Sequence, residues 1–569
     1  MGETSTLPRF SDKRDIEEFV AKLESFERGE INADQFRAFR LLRGVYGQRQ
    51  ANVQMQRVKI PFGLVGTEQL VALADVADNW SRGFGHVTTR QNLQFHFIQM
   101  ANVEAVQHRL DEAGLTTREA CGNSVRTVTA CELAEVCKDA PFDVTPYSEA
   151  ITRHFLRHPL SSSLPRKFKM AFSGCPSDCA LGAIHDLGFV ASVKDGQRGF
   201  KVLAAGGLST SPQAAIVLHE FIPAAEIGRV AEAILRVFHE LGNRDNKARA
   251  RLKYVLRKLG EPAFREVYAK HRATVDAEAM AELKLPETPK REPHPAVAAE
   301  GEKLNGFLEW RASSVVDQKG GDLVAVYARL FLGDITSAQL RGLASVLGRF
   351  GDGTARFTVD QNIVVPWVRR ASLPALFATL TGLGLARLDI HTARDVTSCP
   401  GAETCNLAVT ASRQVADSIA TRLEEPDAGA LAAMGDTIIK VSGCPNSCGQ
   451  HHIANIGFHG AAKTLGDDTY PMYQLHLGGT VDENGARFGR QVVKILARRV
   501  PEAVFLLMKL YEAERTDGEK VASFFGRVEA KRVTAALASV LGPPTPDDLT
   551  DIGQTQGFEV QIGAGECAA

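Results

Sequence analysis

Nothing in this chain of 569 residues approaches the roughly 18–20 consecutive apolar residues of a membrane-spanning helix, so no span is expected. Strong charge of either sign is also missing. The formal net charge is −1, which gives no bulk attraction for nucleic acid or for an anionic lipid surface. The opening stretch MGETSTLPRFSDKRD has no apolar core, so no secretory signal is expected, and its fit to a myristoylation pattern rests on too few positions to carry weight. A complete G-x-G-x-x-G is absent; GLGLARLD holds only a fragment of it, so no nicotinamide or flavin domain is expected. Cysteine is scarce as well. Ten in a chain of this length cannot build a disulfide scaffold, and their clustering points to metal or redox chemistry in a reducing, cytoplasmic setting. What remains is an ordinary globular composition, 44% hydrophobic and 23% charged, with enough chain for several cores.

Two of the ten stand alone. Cys121 reads as a small buried hydrophobe and Cys567 as a free thiol in a loose tail. The other eight form two matching sets. TACELAEVC supplies Cys131 and Cys137, and SGCPSDC supplies Cys175 and Cys179. TSCPGAETC supplies Cys399 and Cys405, 268 residues further on, and SGCPNSC supplies Cys444 and Cys448, 269 further on. Four spacings kept in register indicate an internal duplication. It extends outward: HVTTRQNLQFHFI aligns with RFTVDQNIVVPWV, and VKIPFGLVGTEQL with ARLFLGDITSAQL.

Each half therefore repeats a strand-rich module followed by an α/β module, and the class is α+β. The divisions read as an N-terminal extension (1–45), a strand-rich half (46–118), an α/β module (119–284), a Pro- and charge-rich connector (285–303), a second strand-rich half (304–385), a second α/β module (386–530) and a tail (531–569). Alternating or apolar runs predict strands in VQMQRVKIPF, NLQFHFI, KFKMAFSG, GFHGAAK and YQLHLGG. Amphipathic patterns predict helices in TEQLVALADVADNW, PQAAIVLHEF, RQVVKILARRV and PEAVFLLMKLYEAE.

Zinc knuckles favour C-x2–4-C, so C-x5-C joined to C-x3-C fits zinc poorly. Four thiolates from two loops suit a [4Fe–4S] cluster, and the small residues of SGCPNSC leave room for iron and sulfide. Basic residues gather in strand or turn contexts at Arg57, Arg90, Arg126, Arg166, Lys167 and Lys169. The bland reading of LPRKFK is a solvated basic edge strand. The sharper one is that Lys167 and Lys169, two apart, face one way towards an anion. His451 and His452, after the second cysteine loop, read as loop or core histidines rather than haem ligands.

QMQRVKIP, TTRQNLQFH, SVRTV, LPRKFK, AGGLS, GNRDNKARARLKY and SGCPNSCG together make the chain resemble the sirohaem-containing sulfite/nitrite reductase family, most closely its assimilatory sulfite-reducing members. The resemblance spans nearly the whole chain. It implies two ferredoxin-like halves pairing into one domain, with two α/β modules around the cofactors. It implies a [4Fe–4S] cluster on Cys399, Cys405, Cys444 and Cys448, with Cys448 also bound to the sirohaem iron. It places Arg57, Arg126, Lys167 and Lys169 around the bound oxyanion, and Arg90, Gln94, Arg166 and Asn446 as cofactor contacts. The implied reaction is six-electron reduction of sulfite to sulfide, with a separate ferredoxin or NADPH flavoprotein as donor. Nitrite reduction is the alternative, favoured by SCGQ and CNLAV, whereas Lys169 stands where nitrite-type members often carry Asn. A non-catalytic iron–sulfur or zinc protein is the alternative of another class.

The duplication departs from simpler family members, whose first half usually lacks a full quartet. Cys131, Cys137, Cys175 and Cys179 are expected to hold a second cluster. The cations are not duplicated: Arg57, Arg90, Lys167 and Lys169 align with Tyr327, Asp360, Asp436 and Ile438, and only Arg126 keeps a basic counterpart, Arg394. If each half's cations face the other half's thiols, the N-terminal cations serve the C-terminal quartet, and no second sirohaem is expected.

Overall fold

The computed structural model describes residues 7–298, 305–429 and 437–561, together with 563 and 566. Asp436 and Cys567 lie outside the described residues.

The two strand-rich halves are joined by exchange. Strands Val45–Gly47, Val53–Val58, Leu93–Gln99 and Phe84–Val87 form an antiparallel sheet whose fifth strand, Asp334–Thr336, comes from the other half. In return, Leu64–Gly66 completes the sheet of Val315–Asp317, Leu323–Ala328, Ile363–Arg369 and Thr354–Phe357. Helices Thr67–Trp80 and Ser337–Leu347 pack together on the sheets, and one apolar core runs through both halves. Pairing buries a face that neither sheet could cover alone. The helix over TEQLVALADVADNW matches its amphipathic pattern residue for residue.

Each α/β module carries a five-stranded mixed sheet with its own core. In the first, Thr129–Ala130, Met170–Ser173 and Leu187–Lys194 are parallel, and Gln197–Ala204 and Ile216–Pro223 follow antiparallel. The second repeats this with Thr397–Ser398, Ile439–Ser442, Ile456–Leu465, Asp468–Leu477 and Arg490–Leu496. Two expected helices are therefore strands. PQAAIVLHEF runs into the strand Ile216–Pro223 and RQVVKILARRV holds the strand Arg490–Leu496. Both are edge strands paired on one side, and both ladders slip register at a bulge. A bulge shifts the inward face by one residue and breaks the period of two, so the run imitates a helical period. The helix over PEAVFLLMKLYEAE is present as Val500–Glu514.

The duplication reaches the backbone. Phe62 and Leu332, Gln91 and Gln361, Phe97 and Trp367, and Leu181 and Gln450 occupy equivalent positions, and all have positive φ, which non-glycine residues seldom adopt. The connector is not a free tether. Arg291 pairs with Glu135 at 2.9 Å and Asp352 at 3.1 Å, and Val297 donates its N–H to Ser372 Oγ.

Arg356, fully buried on the strand Thr354–Phe357, reaches across the exchange. It pairs with Glu135 Oε1 at 3.2 Å and donates to Thr145 Oγ1 at 2.9 Å. Burial pushes the Glu135 carboxyl up, but Arg356 and Arg291 outweigh it and hold it below its ordinary value. A carboxylate lowered in this way stabilises the fold above the carboxylate range and loses that contribution as pH falls through its lowered value. Arg356→Met is expected to cost about 3 kcal/mol at pH 7, near the lower end for breaking a buried pair because Arg291 remains. Urea unfolding at several pH values checks this: the difference from wild type should shrink in acid, and a loss below about 1 kcal/mol at pH 7 would mean the pair is not supporting the exchange.

Candidate active site

Both thiol sets sit at the carboxyl ends of adjacent parallel strands, which brings their two loops together. Thr397–Ser398 leads into Cys399, and Ile439–Ser442 into Cys444. Gly443 at the turn is required by close approach, since a Cβ there would lie 2.8 Å from Thr410 O and 3.0 Å from the Gly401 Cα. Its N–H donates to Cys399 Sγ at 3.2 Å, and Ser412 Oγ lies 3.3 Å from the same sulfur. Burial and the nearby Cys448 push Cys399 up; burial, then Cys448, Cys399 and Cys405, push Cys444 up. Four thiols gathered from two adjoining loops are a ligand set suited to a multinuclear cation. Cys448 is the exposed member and opens towards the basic residues of the first half.

Those residues come from the first half. Thr89 Oγ1 donates to Cys448 O at 3.0 Å. Arg49 donates its backbone N–H to Thr404 O at 2.8 Å and its guanidinium to Cys405 O and Ala408 O. Arg90 reaches His185 Nε2 at 2.6 Å and the carbonyls of Thr127 and Met170. Burial, then Arg126, pushes Arg90 down to about 9. Arg57 and Arg126 converge on Ala120 O, at 3.4 and 3.2 Å; Arg57 also contacts Cys121 Sγ at 3.2 Å, and Arg126 contacts Gly122 O. Cys121 is buried, as expected of a small hydrophobe, but its sulfur belongs to the basic cage, which composition alone did not reveal.

LPRKFK is not a solvated edge. Phe168 bridges Val125 in the interior, and Arg166 contacts Asn123 Oδ1 at 3.3 Å. Burial, then Arg90, Arg251 and Lys167, hold Lys169 well below the usual lysine value. Its backbone N–H is fixed by Asp186 Oδ2 at 2.9 Å, and Asp186 is locked to Arg251 at 2.8 Å in a buried pair. Gln94 is buried on the strand Leu93–Gln99 opposite Arg57. Asn446 is exposed on the cysteine loop and accepts from Ser209 Oγ at 3.3 Å. Sequence reasoning did not single out Arg49, Thr89, Asp186, Arg251 or Lys253 as site residues. Thr89, Arg251 and Lys253 lay within quoted motifs; Asp186 and Arg49 carried no separable signal. Lys253 is pushed down to about 7 by burial, then Arg251 and Arg257, and donates to Leu208 O and Ser211 O of the AGGLS loop.

The mirror location is built differently. Cys131, Cys179, Cys175 and Cys137 form a continuous run of thiol contacts, in which hydrogen bonds from Cys137 and Cys179 hold Cys175 low, and Cys137 and Cys179 are pushed up. Lys319, equivalent to Arg49, donates its N–H to Val136 O at 2.9 Å. Beyond the thiols the space is largely taken up by side chains. Val136, Ala325, Tyr327, Val364 and Ile390 pack as an apolar cluster, Tyr327 OH donates to Glu132 at 3.5 Å, and Lys440 pairs with Asp360 at 2.6 Å. Burial raises Glu132 to about 7.

The two thiol sets thus differ in surroundings, one facing a basic cage and the other packed against apolar side chains. A family described as "Nitrite and sulphite reductase 4Fe-4S domain" matches residues 121–275, and "Nitrite/Sulfite reductase ferredoxin-like half domain" matches 46–113 and 316–383. A sulfite reductase [ferredoxin] of Mycobacterium tuberculosis is 31% identical over 489 residues, 84% of this chain and 83% of that protein. The chain belongs to the nitrite and sulfite reductase family. A ferredoxin–nitrite reductase of Synechococcus elongatus is 29% identical over 464 residues, 80% of this chain and 85% of its own. The solved structure of the Mycobacterium tuberculosis NirA protein superposes with a TM-score of 0.76 at 28% identity, covering 91% of this chain and 97% of the other. Membership makes the chain an oxidoreductase with sirohaem and a [4Fe–4S] cluster, which displaces the non-catalytic reading.

The residues present fit those groups. Sirohaem is a polycarboxylate, and the side chains gathered before Cys448 are cations that depress one another: Arg126 on Arg90, and Arg90, Arg251 and Lys167 on Lys169. The hydrogen-bond partners of Arg90 among the described residues are neutral, and its Nε is buried without one. Asp186, paired with Arg251, offsets part of this positive charge, and a bound polycarboxylate would offset more of it. Among the described residues no helix is long and apolar enough to cross a membrane.

Proposed function

We propose that this reductase carries out the six-electron reduction of sulfite to sulfide. The observation that carries the reading is the run of cations in which Lys169 lies near Cys448, Lys167 and Arg90, Arg90 lies near Arg126, and Arg126 shares the Ala120 carbonyl with Arg57. The assignments are Cys399, Cys405, Cys444 and Cys448 for the cluster, with Cys448 shared by the sirohaem iron, and Arg90, Gln94, Arg166 and Asn446 for the sirohaem periphery. When bound, these cofactors supply the iron at which the oxyanion is reduced and single electrons through the cluster.

The protein's own part is electrostatic. Arg57 and Arg126 are fixed by carbonyls of the 120–122 turn, so their charge is aimed before substrate arrives and needs no reorganisation. Lys169 is held towards its neutral form by burial and then by the surrounding cations. A dianion brought among them favours the ammonium, so anion binding and proton uptake are coupled at Nζ. Lys167 and Lys169 then return protons as oxygens leave as water. A ferredoxin-type protein is the donor that the relatives' names suggest. Nitrite is the second reading, favoured by the 29% identity to a nitrite reductase.

The first quartet is assigned to a second [4Fe–4S] cluster without sirohaem. The run of thiol contacts supplies four ligands, and the apolar cluster around Tyr327 leaves no place for a polycarboxylate.

Cys448→Ser is expected to abolish sulfite reduction and the cluster's electronic coupling to the haem, read in the visible and electron paramagnetic spectra. Native turnover with intact cluster signals would refute the shared ligand. Lys169→Asn is expected to lower kcat/KM for sulfite at least about tenfold more than for nitrite, because a partly dehydrated cation acts on a dianion more strongly than on a monoanion. Equal losses on both anions in parallel assays would remove the basis for selectivity. Iron and acid-labile sulfide analysis, normalised to haem and repeated after anaerobic reconstitution, is expected to give about eight non-haem irons per sirohaem, two clusters of four. About four would leave the first quartet without one.

A further inference from the structure

Four histidines lie behind the second cysteine loop and take no part in the chemistry above. His451 and His452 form the short turn after Gln450, while His459 and His476 project from the neighbouring strands Ile456–Leu465 and Asp468–Leu477. Ring centroids of His451 lie 4.8 Å from those of both His459 and His476. His459 Nδ1 and His476 Nε2 are 2.8 Å apart, and one nitrogen from each of His451, His459 and His476 falls within 4.8 Å of the others. Gly457 allows this approach, because a Cβ there would strike the His451 carbonyl.

His451 is the decisive member. It is fully buried, and neither Nδ1 nor Nε2 has a hydrogen-bond partner among the described residues. Buried polar atoms are almost always satisfied, so an imidazole with two orphaned nitrogens, turned towards two further imidazoles, asks for a ligand. His476 is buried, and His459, half-buried, leaves a way in.

The first half provides an internal control. The positions equivalent to His451, His459 and His476 are Gly182, Val190 and Leu203, with Leu203 opposite Gly188 as His476 is opposite Gly457. There Val190 and Leu203 make a small apolar cluster with Ala183, the counterpart of His452. The same sheet and turn thus pack without imidazoles, and the fold does not require them.

We propose that His451, His459 and His476 form a binding site for one late first-row divalent metal ion of the zinc class, separate from both cysteine quartets. Three imidazoles are a characteristic donor set for such an ion, with a fourth position for water. Bonds of about 2.0–2.1 Å at tetrahedral angles separate ligand nitrogens by about 3.3 Å. The 2.8 Å pair therefore needs only a small opening. The bound ion ties the turn after Cys448 to the strands Ile456–Leu465 and Asp468–Leu477, independently of which oxyanion the enzyme reduces.

The test uses the full-length holoenzyme, freed of loosely held metal and dialysed against zinc chloride. Metal analysis is expected to find about one zinc per chain in the wild type. In the double variant His459→Val with His476→Leu, which installs the first half's residues, zinc should fall at least about tenfold, with iron content unchanged. No zinc in the wild type, or full zinc in the double variant, overturns the site. Should the double variant fail to retain iron, zinc-edge X-ray absorption on the wild type decides. Imidazole nitrogens near 2.0 Å support the assignment; sulfur near 2.3 Å places the zinc on a cysteine quartet and refutes it.

Discussion

The reciprocal strand exchange is the constraint on which everything else depends. Leu64–Gly66 and Asp334–Thr336 each finish the other half's sheet. The crossing fixes each strand-rich half against the thiol loops of the opposite module, through Arg49 on one side and Lys319 on the other. A cation from one half and a thiolate from the other can then share one location without any loop having to travel. The site's precision thus comes from sheet register, which is set by backbone hydrogen bonds and buried side chains rather than by flexible segments.

Within that frame the two locations differ in how charge is settled. On the sealed side, Asp360 has Lys440, Glu135 has Arg291 and Arg356, and apolar side chains fill the remainder. On the open side, Arg57, Arg90 and Arg126 are fixed largely through carbonyls, a hydroxyl, a thiol and an imidazole, so they are oriented while keeping their charge. The first arrangement pairs most of its charge internally, and the second is an electrostatic socket. One acidic group stands a step back from the socket, in the Asp186–Arg251 pair that holds the Lys169 backbone.

Much of this was legible in the sequence. The paired cysteine spacings gave the duplication, and the strand-rich and α/β alternation gave the architecture. The unmatched cations indicated that one location could not repeat the other. What was not legible followed from long-range geometry. The edge strands at Ile216–Pro223 and Arg490–Leu496 resemble helices because bulges scramble their period. Cys121 was ordinary as a residue and significant only through its 3.2 Å contact with Arg57. Asp186 is a single acid in a turn until Arg251, 65 positions away, folds onto it. The strand exchange has no local sequence signature, since three-residue strands pair wherever tertiary structure presents an edge.

The connector docked by Arg291 has a consequence for how such a molecule can change. Two identical chains exchanging strands about a two-fold axis would carry two identical sites, and any substitution would strike both. Once a covalent segment joins the halves, each position exists separately. One location can lose its cations and fill with Tyr327, Val364 and Ile390 while its twin keeps them. The join thus turns a symmetric pair, bound to repeat itself, into two half-sites that answer to different selective demands.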